Sequence, residues 1–384
     1  DPECNVDPAA FHGFFYKNEP VRNLLREFFE KYQGTINWHN CTYDTKVLIY
    51  SLWMKDALDM DGLLKGLHIL HNKINDTKII AYLALNSTAR NSYSLKDLAH
   101  EFAGNYAQAE INDVRRIKQE DLLRYNLIDC LSTWFVYGKY LPRMIADNQE
   151  TIYRDLMMPS QKVLTQVELS GMPLNMDTVL RKKTEMEIEA KNFLDAIQNL
   201  PIVQEFTEHL RYAAWEDKQA SLKKKVVFLE DFDGVSFNPG SPNQLQELLY
   251  SVMGLPIIDY TDTKQPATGA DTLAKLINHT DNEDYKELLR NLIGLGKVSK
   301  ILSAFIPAFE AAMLKPDGWN YLHGSFNLGG TVSGRLSSSN PNMQNIPAGS
   351  KYAKAIKEMF EAPKGWLFCG ADFASLEDRI SALT

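Results

Sequence analysis

The stretch Gly330–Pro347, GTVSGRLSSSNPNMQNIP, decides how the rest of the chain is read. It is dense in side chains that hydrogen-bond to sugar, phosphate and base edges. Arg335 offers a planar fork of donors, suited to phosphates and to minor-groove acceptors. Asn340, Asn342, Gln344 and Asn345 each donate and accept. A Ser/Asn/Pro-rich run is, in most chains, only a loop. Immediately downstream, GWLFCGADF (365–373) reads as a buried strand that ends in a carboxylate, Asp372.

Upstream the pattern is helical. YKELLRNLIGLGKVSKILSAFIPAFEAAML (285–314) carries apolar residues at helical spacing, with Gly294, Gly296 and Pro307 as weak points. A second amphipathic helix is expected from about Asp177 to Asn199. FNPGSPNQLQELLY (237–250) and a Pro/Gly/Thr-rich loop, YTDTKQPATGAD (260–271), lie between them. Two long helices with loops between them suit an arm. DLMMPSQKVLTQVELSGMPLNMDTVL (155–180) reads as helix, Gly stop, short extended segment and helix start, with Asn175 or Asp177 as cap. Further upstream, VRNLLREFFEKYQ (21–33) reads as a helix stopped by Gly34, and TINWH (35–39) as a short strand. From about residue 45 to 150 the pattern is mostly helical, including SLKDLAHEFAG (94–104) and EDLLRYNLIDCLSTWFVYGKYL (120–141). A strand-bearing start followed by helices suggests an α/β domain ending near Asp147. The pairs Phe14-Phe15 and Phe28-Phe29 are expected in cores.

The chain has 384 residues, 45% apolar and 23% charged. That suits two or three globular domains, each able to bury a core without staples. Cys4, Cys41, Cys130 and Cys369 form no CxxC pair and read as reduced thiols. No stretch reaches the 18 or so uncharged apolar residues a membrane span needs. DPECNVDPAA is neither a signal peptide nor a start-methionine terminus, so the native N-terminus is expected upstream of Asp1. A net charge of −8 argues mildly against a nucleic-acid partner. A local basic groove outweighs that total, and carboxylates that hold metal ions also lower it.

Several carboxylates have spacings that suit metal ions. Two-metal nucleases need acidic groups converging on cations roughly 4 Å apart, and hard ions such as Mg²⁺ take carboxylates and water. Asp1 and Glu3 in D-P-E would share one face of an extended strand. Asp44 closes Asn40-Cys-Thr-Tyr43-Asp44. Tyr125 and Asp129 are four apart and share a helix face, so that the phenol could orient an attacking water. Taken singly, most such carboxylates are solvated surface or caps.

Taken together, these segments resemble the family A (polymerase I-like) DNA polymerases of tailed bacteriophages, T-odd type. The proofreading exonucleases of that family carry D-x-E, N-x-x-(F/Y)-D and Y-x-x-x-D in order, and here stand Asp1-Pro-Glu3, Asn40–Asp44 and Tyr125–Asp129. Phe11-His12 follows the first motif as in phage members. The distance from Asp1 to Asp44 is short for the family and Pro2 is unusual, so an alternative places the first pair upstream. T-x-x-GRLSS-x-NPN-x-QNIP, the segment that opens the family's palm, stands here from Thr331 to Pro347. ADFASLEDR (371–379) resembles the palm motif D-Y-S-Q-I-E-L-R, with Ala374, Ser375 and Asp378 departing from it.

The resemblance implies an α/β, ribonuclease H-like 3′–5′ exonuclease domain over 1–147 and a connection over 148–177. A mostly α thumb over 178–314 and the first part of an α+β palm over 315–384 follow. It implies that Asp1, Glu3, Asp44 and Asp129 hold two Mg²⁺, with Mn²⁺ as a substitute, that Tyr125 aligns the water, and that Asn40 holds the 3′-terminal nucleotide. It implies that Asp372 and the Phe373 carbonyl hold the polymerase metals, that Glu377 excludes a ribonucleotide 2′-hydroxyl, and that Arg379 supports the site. Arg335, Asn340, Asn342, Gln344, Asn345 and Lys264 would then contact DNA. Lys297, Lys300, Lys354 and Lys357 would be further phosphate contacts, and Lys223–Lys225 ordinary surface. The implied partners are primer-template DNA, single-stranded 3′ ends and deoxynucleoside triphosphates, with a processivity factor or a complementary polymerase chain besides, in the cytoplasm of an infected bacterium. The family's fingers helix and His-Asp-Glu motif do not occur before Thr384. A stand-alone exonuclease, one chain of a split polymerase and a non-catalytic DNA-binding subunit are the alternatives.

Overall fold

The computed structural model describes residues 18–85, 91–105, 117–222, 226–346 and 351–383. Cα packing divides the chain into two compact units. The first takes the described residues of Asp1–Leu174, Ala312–Ile346 and Phe360–Thr384; the second takes those of Asn175–Ala311 and Pro347–Met359. Both are mostly helical, and among the described residues the short strands all lie in the first.

In the first unit, α1 (Glu19–Lys31) begins where Asn18 Oδ1 accepts the Val21 N–H at 3.3 Å. Strand β1 (Ile36–Trp38) follows the Gly34 turn. α2 (Thr42–Leu52) and α3 (Met60–His71) then lead to β2 (Ile74–Asp76), which pairs with β1 in parallel, Ile36 opposite Ile74 and Trp38 opposite Asp76. Parallel strands require such a crossover, so both strands end at the same edge. Ile49, Leu52, Leu63, Leu67 and Leu70 close the crossover helices on each other, each contributing about 1.5–3 kcal/mol of apolar burial. α4 (Thr77–Ala84) packs Ile79 and Ile80 against Val136, Tyr140 and Met144 of the long α5 (Gln119–Ala146).

A π-helical stretch, Ile152–Met157, runs into α6 (Met158–Ser170), which stops at Gly171 with φ +64°. A Cβ there would lie 2.8 Å from the His323 ring, so glycine is needed for both backbone and space. β3 (Met172–Leu174), β4 (Met313–Leu314) and β5 (Asn320–Leu322) form an antiparallel sheet with β5 in the middle. β6 (Ser325–Asn327) and β7 (Ser337–Ser339) form a separate antiparallel pair. Glu168 of α6, 4% exposed, binds the Lys46 ammonium and accepts the Phe326 N–H at 2.6 Å, which ties α2 and β6 to α6.

In the second unit, Asn175 is the cap of α7 (Met176–Gln198): its Oδ1 accepts the Thr178 N–H at 3.0 Å, while Asp177 lies in the first turn. α8 (Pro201–Ser221) follows at once, so the unit has three long helices where the periodicity marks two. α9 (Glu283–Ala304) breaks at Phe305, ahead of a short helix, Ile306–Glu310, that carries Pro307 at its start. Val203, Phe206, Phe237, Leu248, Leu276, Leu288 and Leu289 form its core. α10 (Lys351–Lys357) belongs to the same unit, and Lys351 and Tyr352 both bind Glu189 of α7. Glu283–Glu310 is long and apolar enough by length and composition to cross a membrane, but Leu288, Leu289 and Leu292 place that apolar face in this core.

Three expectations change. Residues 365–373 form no strand: Leu367 is 88% and Phe373 77% exposed, because no strand among the described residues pairs with them and an isolated strand has no ladder to hold it. Residues 313 and 314 belong to β4 rather than to the preceding helix. Phe29 packs beside Trp53, but Phe28 is half exposed and stacks on Tyr32, because adjacent helical residues point about 100° apart. Phe14-Phe15 lies outside the described residues.

Candidate functional site

The shared end of β1 and β2 gathers polar groups, as expected at the carboxyl ends of parallel strands. Asn40 leaves β1 with φ +61°, a left-handed turn that Asn tolerates. Asp76, 1% exposed, ends β2. Its carboxylate accepts the backbone N–H of Asn40 at 3.0 Å, of Cys41 at 2.8 Å and of Lys78 at 2.9 Å. The last of these caps α4. The Tyr153 hydroxyl holds the Asp76 backbone N–H at 3.0 Å. Asp76 therefore fixes the turn from which Asn40, Tyr43 and Asp44 project. Asp44 sits in the first turn of α2, where the helix dipole favours a carboxylate.

Burial pushes the Asp44 carboxyl above its ordinary value, and the nearby Asp76 charge acts in the same direction. Among the described residues Asp44 has no Lys or Arg partner. A half-buried carboxylate without a cation is a donor that fits a hard divalent ion. Tyr125 and Asp129 lie on α5, one turn apart as expected, with the Lys96 ammonium 5.9 Å over the Tyr125 ring. Among the described residues no three His, Cys, Asp or Glu side chains converge as a ligand set. Asp1 and Glu3, the other expected ligands, lie outside the described residues.

Next to Asn40 opens a cavity of about 480 Å³. His39 stands at its base, its ring nitrogens 2.9 Å from Thr77 Oγ1 and 3.1 Å from the Tyr93 carbonyl. Burial holds the His39 ring below its ordinary pKa, against the opposing pull of Asp76 and, more weakly, Asp129. Lys78 lies between Asn40 and Asn327, its ammonium 3.3 Å and 3.1 Å from their side-chain oxygens. Asp76, Lys78 and Asn327 escape the sequence reading. The one local signal is Asp76-Thr77, a cap residue before an apolar run.

The Thr331–Ile346 segment is held by its own side chains. Thr331 Oγ1 donates to the Arg335 carbonyl at 2.7 Å, and the Tyr82 hydroxyl donates to the Thr331 carbonyl at 3.0 Å. Ser338 Oγ accepts the Met343 N–H at 3.2 Å, and Asn342 Oδ1 accepts the Gln344 N–H at 3.1 Å. The Asn340–Pro341 peptide is cis. Asn340, Gln344 and Asn345 face solvent. The exposed Arg335 guanidinium pairs with Glu377 at 2.9 Å, which brings an expected DNA-contact residue and the expected nucleotide-selecting residue together. Arg379 Nε donates to the Ala374 carbonyl at 2.9 Å. Asp372 and Phe373 are exposed.

In the second unit, Lys264 is exposed at the tip of a small loop with φ +60°, closed by the Thr261 and Gln265 backbones at 2.8 Å. Lys297 and Lys300 are exposed on α9, and Lys354 and Lys357 on α10. Lys223–Lys225 lie outside the described residues.

The family model "DNA polymerase family A" matches residues 204–384. The chain is 36% identical over 165 residues to DNA polymerase I of Pseudomonas aeruginosa, covering 42% of this chain and 17% of that protein. It is 27% identical over 398 aligned positions to the DNA polymerase of Bacillus phage SP01, covering 94% of this chain and 40% of that protein. The chain thus spans less than half the length of these relatives. A solved structure of the polymerase domain of Pol1 from M. smegmatis, in complex with DNA primer-template and dNTP, shares its fold with a TM-score of 0.54 at 20% identity, over 76% of this chain and 42% of that one.

Proposed function

Residues 204–384 belong to DNA polymerase family A, and on that premise we propose that this chain is the proofreading and primer-gripping part of a phage DNA-directed DNA polymerase. The observation that carries this reading is the family match itself, which includes Arg335, the NPN-x-QNIP run and Asp372. The SP01 relative supports phage replication as the setting, and primer-template DNA and deoxynucleoside triphosphates, which the M. smegmatis domain holds, are the proposed partners. In this reading the described residues of 1–147 are the exonuclease domain, 148–177 the connection, 178–314 the thumb and 315–384 the start of the palm.

Removal of a 3′ nucleotide is assigned to the end of β1 and β2. Asp44 and Asp129, with Asp1 and Glu3, would hold Mg²⁺ or Mn²⁺, which supplies a lowered water pKa and charge neutralisation at phosphorus. Asn40 binds the terminal nucleotide through its amide, and the Tyr125 hydroxyl orients water. The Asp76 network keeps Asn40 and Asp44 in place, so positioning is prepared before the strand arrives. Unpaired 3′ ends enter in preference because separating them from the template costs less. In the polymerase half, Arg335 binds the primer minor groove, Asp372 and the Phe373 carbonyl hold the metals, Glu377 selects deoxynucleotides, and Arg379 supports that site. Asn340, Asn342, Gln344, Asn345 and Lys264 hold the duplex.

The test is release of labelled nucleotide from a mismatched 3′ end in Mg²⁺. Wild type should release it and Asp44→Ala should not. Release that persists in Asp44→Ala would refute the assignment.

A further inference from the structure

The cavity beside β1 holds a cation for which the acidic-site reading has no use. Lys78 is half-buried, and among the described residues its ammonium meets neutral oxygens, Asn40 Oδ1 at 3.3 Å and Asn327 Oδ1 at 3.1 Å. Asp76, the nearest carboxylate in sequence, is occupied by three backbone N–H groups and forms no ion pair with Lys78. An ammonium has three donors, so among the described residues one remains for a ligand, and the charge has no ion-pair partner there. Burial pushes the Lys78 pKa down, with Asp76 opposing, which is the condition an incoming anion relieves.

The walls agree with that charge. Among the described residues no Asp or Glu lines the cavity. Asn40, Asn91 and Asn327 line it with amides, and Tyr93 brings an aromatic ring. One side is the Gly329-Gly330 backbone. A Cβ on Gly330 would lie 2.2 Å from Ser337 Oγ, and one on Gly329 would lie 2.8 Å from the Tyr82 ring. Internal packing thus requires glycine at both positions, and that wall presents main chain without side chains. A volume of about 480 Å³ fits a nucleotide-sized group.

We infer that Lys78 binds a phosphodiester of a single-stranded 3′ end in this cavity, with Asn327 holding the ammonium in position from the far side. The inference rests on the exonuclease reading for the identity of the strand. It places in that site a residue of α4 and one of β6 that none of the three acidic motifs contains.

The probe is a short 5′-fluorescent oligothymidylate, with affinity read by anisotropy in EDTA so that no cleavage occurs. Lys78→Gln should weaken binding about tenfold, the size of one charge-assisted contact, and lower the salt slope by about one phosphate. Lys78→Arg should restore most of the affinity. A neutral methylphosphonate at the 3′-terminal linkage should cost wild type a similar factor and cost Lys78→Gln nothing further. A merely structural lysine would not remove that dependence on one linkage. Unchanged affinity and slope in Lys78→Gln, or a methylphosphonate penalty that persists in it, overturns the inference. Nucleotide release in Mg²⁺ is measured separately: wild type that binds with these properties but releases nothing refutes the exonuclease reading and leaves the Lys78 site standing.

Discussion

Asp76 holds the backbone N–H of Cys41 at 2.8 Å across 35 residues of sequence, and the same carboxylate holds Asn40 at 3.0 Å. One buried side chain at the end of β2 thus sets the conformation of the turn that follows β1. Burial also pushes the Cys41 thiol up, with Asp76 adding to the effect, so Cys41 acts as a small apolar group at this corner.

Replacing Asp76 by Ala strands three N–H donors, two of them at the Asn40 turn. The expected cost is roughly 3–5 kcal/mol, read as a lowered unfolding midpoint in denaturant. Nucleotide release should fall with it, although Asp76 touches no substrate in the proposed mechanism. Wild-type stability in Asp76→Ala would show that the network is not what orders this turn.

Gly294 lies inside α9, where helix propensity alone favours Ala by about 1 kcal/mol. The structure reverses the expectation. A Cβ on Gly294 would lie 2.5 Å from the Phe193 ring of α7, so Gly294→Ala should force the two helices apart and destabilise the second unit by about 1–3 kcal/mol. Thermal denaturation checks the sign. Gly296, where a Cβ meets nothing within 4 Å, is the control: Gly296→Ala should stabilise.

Lys315 is buried, donates to the Ser170 carbonyl at 2.8 Å and the Ala57 carbonyl at 3.0 Å, and lies 4.3 Å from the Tyr321 ring centre. Burial pushes it from 10.5 down to about 8. The unfolded chain therefore binds more protons than the folded one between about pH 8 and 10.5, and stability should rise with pH across that window. Tyr321 has the opposite effect higher up. Burial and Asp317 raise its pKa from 10 to about 12, so its contribution is complete below pH 10 and is lost as pH climbs through 12. Lys315→Met should flatten the lower limb of the stability–pH curve and leave the upper one. A curve with an unchanged lower limb would contradict this account of Lys315.

The Arg335–Glu377 pair is exposed on both sides, and such pairs contribute little to stability. Arg335→Ala should leave the melting temperature unchanged while weakening primer-template binding in a filter or anisotropy assay. Glu377→Ala, which frees the guanidinium, should leave that binding intact or strengthen it. A drop in melting temperature without loss of DNA affinity would reassign Arg335 to the fold.

Local chemistry alone was enough for several of these features. The Asn175 cap, the Gly171 stop, the extended Met172–Leu174, the α5 face shared by Tyr125 and Asp129, and the strand before Asn40 each depend on residues a few positions apart. Capping, positive φ and helical period act over that range, so each is legible in a short window. Lys78 and Asn327 meet across 249 residues, and Asp76 ends a three-residue strand too short to show alternation. Phe193 decides what Gly294 means, and the lack of a partner strand among the described residues decides that residues 365–373 form no strand and stay exposed. Those outcomes depend on which backbone lies alongside which, and that is a property of packing rather than of any one segment's pattern.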